Sequence, residues 1–223
     1  NGDLLVARGD GVGIYRSIVV PWKHLFTEDG GPRNRINEIL IASNGTIWSG
    51  TDGGVEARRA DGRVEFFDRV GDQDLRIITG LGEDDEGGIW ASSGASWDGA
   101  FRYFGGQWRF VGREDGLRSS KIHRIESDSA GRLWFLGLQG EGAMRLQQAA
   151  VVSLKAGVFT DHQIPSPFGA ARIYDVDESV DGGYWFCGVR GIGHVSSEGV
   201  LSLWSDADGI KGSKVFSIAG DAK

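Results

Sequence analysis

The stretch "SSKIHRIESDSAGRLWFLGLQGEGAMRL", Ser119 to Leu146, decides how the rest of the chain is read. A short β-like run, Ile122 to Glu126, leads to Gly131 and then to Leu133-Trp134. A glycine-spaced turn follows, then a further run, Ala143 to Leu146. The same order of features returns around three other tryptophans. "NEILIASNGTIWSGTDGGVEAR" places Trp48, "IITGLGEDDEGGIWASSG" places Trp90, and "IYDVDESVDGGYWFCGVRGIGHV" places Trp185. The N-terminal "NGDLLVARGDGVGIYR" fits the second half of the unit, with Leu5 in the tryptophan slot. The anchors recur roughly every 43 residues, a period that fits a four-stranded propeller blade.

Each unit divides into short, glycine-punctuated runs without helical periodicity, as strands joined by tight turns require. In the unit around Trp134 the expected strands are Lys121–Asp128, Arg132–Gly137, Gly142–Leu146 and a weaker run around Val151–Val158. The interval from Trp134 to Trp185 is longer than the others, and the extra residues are placed within "SLKAGVFTDHQIPSPFG". A connecting phrase recurs as "FTEDGG", "GREDGL" and "SDADGI", from Phe26, Gly112 and Ser205. The tryptophans read as wedges between neighbouring blades, because indole carries a large apolar area into a core.

The expected fold is all-β: one propeller domain over residues 1–223, of five four-stranded blades anchored at Leu5, Trp48, Trp90, Trp134 and Trp185. The C-terminal "SKVFSIAGDAK" matches the first half of a unit whose second half the N-terminus supplies. Lys214–Ala219 is therefore expected as the innermost strand of the blade begun at Asp3, with Ser217 beside Leu5, which removes both open edges. The alternative is a five-repeat fragment of a larger propeller. An open fan of that kind is expected to associate with another copy to cover its edges.

The run "GLRSSKIHRIESDSAGRLWFLG", Gly116 to Gly137, resembles the repeat of two-component regulator propellers. "GIKGSKVFSIAGDAK" from Gly209 is similar to the first half of that repeat, and "NGTIWSGTDGGV" from Asn44 to its second half. The resemblance implies an extracytoplasmic sensor region of a membrane-bound regulator, periplasmic or extracellular in its parent, with carbohydrates among the ligands of the family. The unit at Leu5 lacks the tryptophan, and Ser92-Ser93 after Trp90 replaces the Gly-Thr of the repeat that the chain resembles.

The net charge of −7 argues against a non-specific nucleic-acid binder, which would be basic. No apolar run approaches the length needed to span a membrane, and "NGDLLVARGD" carries no signal pattern. A single cysteine, Cys187, forbids an internal disulfide and reads as a buried, inert thiol. His24, His123, His162 and His194 show no paired zinc spacing and read as surface or turn residues. No serine-nucleophile elbow, phosphate loop or calcium loop is present. The acidic stretches at Glu83–Glu86 and from Asp175 read as solvated turns. No cofactor or metal is expected.

One pattern rises above composition. A base precedes the first β-branched residue of every expected inner strand: Arg35, Arg76, Lys121, Arg172 and Lys214. Repeat ancestry explains this on its own. In a closed propeller, equivalent positions also form a ring at one channel mouth, where cations focus a positive potential suited to the carboxylate or sulfate of an anionic sugar. Trp97, in the irregular "SGASWDGAFRY", is the expected exposed aromatic face for a sugar ring. Tyr103 and Trp108 are expected in the core. These residues make the chain a non-catalytic ligand-binding or sensory module for a small molecule or oligosaccharide. The alternatives are a protein–protein scaffold and, third, a propeller lyase or glycosidase.

Overall fold

The computed structural model describes residues 4–8, 11–15, 23–25, 33, 35–139, 148–164, 168, 172–210 and 214–219. Strands β1 (Leu4–Arg8), β2 (Gly11–Tyr15) and β3 (Lys23–Leu25) form a three-stranded antiparallel sheet. The next sheet holds β4 (Ile36–Ile41), β5 (Ile47–Thr51), β6 (Val55–Arg58) and β7 (Val64–Phe67). A small hairpin, β8 (Arg69–Val70) and β9 (Gln73–Asp74), leads to the third sheet. That sheet comprises β10 (Gly80–Glu83), β11 (Ile89–Ser92), β12 (Ala100–Phe104) and β13 (Gln107–Val111). The fourth holds β14 (Arg124–Ser127), β15 (Leu133–Gln139), β16 (Gln148–Lys155) and β17 (Val158–His162). The fifth holds β18 (Ile173–Glu178), β19 (Tyr184–Gly188), β20 (Gly191–Val195) and β21 (Leu201–Trp204). All strands pair with their sequence neighbours, the topology of β-propeller blades.

The tryptophan register explains how successive blades pack. Trp48, Trp90, Trp134 and Trp185 each lie in the second strand of a sheet. The first three are buried and face the following blade. Trp48 meets Tyr103 and Trp108 at 5.3 and 6.2 Å between ring centroids, Trp90 meets Phe135 at 5.1 Å, and Trp134 meets Tyr184 at 4.8 Å. Separate apolar layers therefore fill the interfaces between blades 2 and 3, 3 and 4, and 4 and 5. Tyr103 and Trp108 belong to the first of these, as expected. Close approach of the inner strands needs glycine: a Cβ on Gly82 would stand 2.6 Å from both Ile125 and Leu133 side-chain carbons.

Two expectations of strand placement are corrected. Trp134 pairs with Ser153, whereas Trp48 pairs with Ala57 and Trp185 with His194, much nearer in sequence. The extra residues of the longest repeat therefore lie between β15 and β16, not in the stretch from Ser153 to Gly169. The expected run Gly142–Leu146 lies outside the described residues, and Val151–Val158 holds most of the third strand rather than the fourth. Ladder register decides this, and register is invisible where the turn length is unknown.

The closing ladder with Ser217 beside Leu5 is not formed by the described residues, because residues 214–219 carry no strand pairing. Their polar groups bond sideways to blade 5. The Val215 amide donates to Gly188 O at 3.0 Å, as the Ile78 amide donates to Thr51 O at 3.0 Å where blade 3 enters beside blade 2. The segment thus stands in the inner-strand slot that follows blade 5.

Candidate ligand site at the channel mouth

Strand directions alternate, so the starts of the inner strands share one mouth of the axial channel with the turns between the second and third strands. Contacts at this mouth bear this out: the Asp52 amide donates to Arg35 O at 3.1 Å. Arg35, Lys121, Arg172 and Lys214 each directly precede the aligned apolar residue, Ile36, Ile122, Ile173 or Val215, and hold equivalent slots. Arg76 does not. The aligned residue in blade 3 is Ile78, so the slot belongs to Ile77 and Arg76 stands one residue outside it. Ile77 has φ 53°, a left-handed conformation that a β-branched residue rarely adopts. The signal that misled was the double isoleucine, whose register only the ladder resolves.

The four bases in register differ in their partners. Arg35 Nη1 lies 3.4 Å from Asp52 Oδ2, and Lys121 Nζ lies 3.1 Å from Asp98 Oδ1. Arg172 and Lys214 are exposed, and among the described residues neither forms an ion pair. They occupy adjacent inner-strand slots, Arg172 at the start of blade 5 and Lys214 beside it.

Below the mouth the channel is acidic. Two residues beyond each aligned apolar residue stand Glu38, Gly80, Arg124, Asp175 and Ser217. The Arg124 guanidinium pairs with Glu126 within its own strand and lies 3.4 Å from Asp175 Oδ1 on the next blade. Asp175 is buried. Its Oδ2 accepts hydrogen bonds from Ser217 Oγ at 2.7 Å and from the Ile218 amide at 3.0 Å.

Glu38, on blade 2, lies near enough to Glu126 and Arg124 of blade 4 for both charges to act on its carboxyl. Burial pushes the Glu38 carboxyl above its ordinary range, and the Glu126 charge adds to that rise. Burial likewise raises Glu126, against the pull of Arg124. Carboxyls held toward their neutral form can both donate and accept hydrogen bonds to hydroxyl groups. The sequence pattern that marks this cluster is the charge recurring two and four residues into aligned inner strands, which the search for motifs in consecutive residues passes over.

Other expected features are placed differently. Trp97 is buried, with 5% of its surface exposed, and packs edge-on against Phe101 at 5.9 Å, so it offers no face to a ligand. Its loop folds back into the layer between blades 2 and 3. Asp84 is no solvated turn residue: it is buried and accepts from Trp90 Nε1 and Arg102 Nε, each at 2.6 Å. This network lines a groove of about 420 Å³ between blades 3 and 4. His123, His162 and His194 are half-buried rather than superficial. His123 Nε2 lies 2.8 Å from Ile173 O, joining blades 4 and 5, and burial pushes its pKa down to about 4. The Cys187 thiol is buried and is pushed up to about 12, chiefly by that burial. Among the described residues no group of three His, Cys, Asp or Glu could hold a metal ion. No helix among them is long and apolar enough to cross a membrane.

No protein-family model matches the chain, and no curated protein matches it. Solved structures do. One, described as the extracellular domain of a hybrid two-component system from B. thetaiotaomicron, is 19% identical with a TM-score of 0.75. The match covers 97% of this chain and 29% of that one, so the chain spans under a third of that structure. Virginiamycin B lyase from Staphylococcus aureus, in a catalytically inactive H270A form with quinupristin, is 16% identical with a TM-score of 0.66. That match covers 89% of this chain and 64% of the lyase. The WD40 β-propeller domain of Doa1 is 10% identical with a TM-score of 0.64, over 99% of this chain and 69% of that one. At these identities the likeness is one of fold, and the fold is a β-propeller.

Proposed function

We propose that the chain is a non-catalytic sensory propeller that works outside the cytoplasm and binds an anionic carbohydrate at the channel mouth. The observation that carries this reading is the pair Arg172 and Lys214. They are exposed, hold adjacent equivalent slots, and have no ion-pair partner among the described residues. Their cationic donors suit a carboxylate or sulfate, and the carboxyls of Glu38 and Glu126 beneath, held toward their neutral form, suit the hydroxyls of the same ring. The extracellular sensor domain with a similar fold supports the sensory part of the reading.

The test is calorimetry with galacturonate and with glucose 6-sulfate, against wild type and the Arg172→Ala/Lys214→Ala double variant. Saturable binding that the double variant loses supports the reading; equal affinity of the two proteins removes it. Turnover of either sugar derivative would instead favour an enzyme. That second reading draws on one observation, two half-buried carboxyls, Glu38 and Glu126, whose pKa values are raised and whose charges act on one another.

A further inference from the structure

The connection between blades 2 and 3 is built unlike the others described. After β13 and after β21 the chain passes through a single 3-10 turn, Arg113–Asp115 or Asp206–Asp208, closed by a left-handed glycine. After β7 it forms the β8–β9 hairpin instead. This hairpin stands at the mouth that carries Arg35, and between it and the Asp52-Gly53 turn lies a cleft of about 380 Å³.

The cleft is lined by the guanidinium groups of Arg33, Arg69 and Arg76 and by the carboxylates of Asp52, Asp68 and Asp74, of which Asp52 is also met by Arg35 at 3.4 Å. Arg33 lies flat over the Phe66 ring, 3.9 Å from its centroid. Stacking of this kind fixes the plane of the guanidinium and leaves its N–H edge free to meet a planar anion. No described acid pairs with Arg33. Arg69 places Nε and Nη2 on one oxygen of Asp74, at 3.1 and 2.7 Å, while Arg76 Nε approaches the other at 3.6 Å. One carboxylate thus holds two guanidiniums side by side, with their outer N–H edges turned to the cleft. Both remain open to a ligand, with side chains 60% and 69% exposed. The left-handed turn at Ile77 is what sets Arg76 outside the ring slot and beside this cleft.

We infer that this cleft is a second anion subsite, which takes another carboxylate or sulfate of the ligand bound at the mouth. The inference rests on the mouth reading above and sharpens it. The two subsites sit on different blades, so the ligand would be an oligomer with acidic groups on several residues rather than a single acidic sugar. Linking the two contacts in one molecule makes the second binding event intramolecular and raises affinity without new contacts.

Tetragalacturonate, galacturonate and maltotetraose, followed through the arginine Nε–H resonances of the 15N-labelled chain, test this. Tetragalacturonate should shift the Arg33 and Arg76 signals saturably together with that of Arg172. It should bind at least about tenfold more tightly than galacturonate, and maltotetraose should move none of them. The Arg33→Ala/Arg76→Ala variant should lose about ten- to hundredfold in affinity for tetragalacturonate and keep that for galacturonate. If that variant binds tetragalacturonate as wild type does while Arg172→Ala/Lys214→Ala loses it, the cleft is overturned and the mouth stands. If neither variant loses affinity, both fall. If neither tetragalacturonate nor a heparin tetrasaccharide shifts the Arg33 signal saturably, the cleft is overturned whatever the mouth does.

Discussion

The Asp175 carboxylate accepts a hydrogen bond from Ser217 Oγ at 2.7 Å and a second from the Ile218 amide at 3.0 Å. It thereby ties the C-terminal segment to the inner strand of blade 5, and its other oxygen faces Arg124 at 3.4 Å. Replacing Asp175 by Ala should strip the bonds to Ser217, Ile218 and the Val176 amide and the contact with Arg124, and lower stability by about 2–3 kcal/mol, while Ser217→Ala should cost about 1 kcal/mol. Urea unfolding checks both. Equal losses from the two variants would mean that Asp175 acts through Ser217 alone.

The raised Glu38 carboxyl makes a pH prediction of definite sign. The folded protein holds a proton at Glu38 at pH values where the unfolded chain, near the ordinary 4.5, has released it. Its contribution to stability is therefore complete below pH 4.5 and is lost as pH rises through the folded value. Glu38→Gln should flatten that loss, so the variant gains on wild type as pH increases. Parallel stability curves from pH 4 to 8 would contradict the assignment.

His123 works in the opposite direction. It stays neutral in the fold down to about pH 4, against an ordinary value of 6.5, because burial and the neighbouring Arg172 and Arg124 disfavour its charge. The unfolded chain takes up the proton first, so stability is full above pH 6.5 and falls toward pH 4. Up to about 3 kcal/mol is at stake for a shift of this size. The His123 Cε1–H resonance should titrate near pH 4. A midpoint near 6.5 would place the ring in water.

Trp90 spans the interface of blades 3 and 4, edge-on to Phe135 at 5.1 Å, with its indole N–H bonded to Asp84. Trp90→Ala should cost about 3–5 kcal/mol and break the contact between those blades. Hydrogen exchange should speed in β11 and β14 together. Acceleration confined to β11 would mean that the blades are held by other contacts.

At Gly82 the prediction concerns overpacking. An alanine Cβ would stand 2.6 Å from Ile125 Cγ2 and Leu133 Cδ1, so Gly82→Ala should cost about 1–3 kcal/mol. Ile125→Val in the same chain should recover part of that loss, and thermal unfolding of the single and double variants measures it.

The amino-acid sequence alone determined the blades. Tryptophan, glycine and β-branched residues recur at a fixed period, and each repeat is a local unit whose strands pair with their neighbours in the chain, so Trp48, Trp90 and Trp134 were legible as wedges. The recurrence of Arg35, Lys121, Arg172 and Lys214 before aligned apolar residues was likewise legible in the chain. Tertiary structure decided what depends on register and on contacts across the axis. Bulges in the first strands of blades 2 and 5 and the left-handed Ile77 interrupt simple alternation along the chain. That is why Arg76 reads as part of the ring and stands outside it. Trp97 lies in an irregular loop, where no periodicity says which way a side chain turns, and packing buried it. Glu38 feels the charge of Glu126 only because blades 2 and 4 are brought near one axis, a long-range relation that no local pattern in the chain encodes.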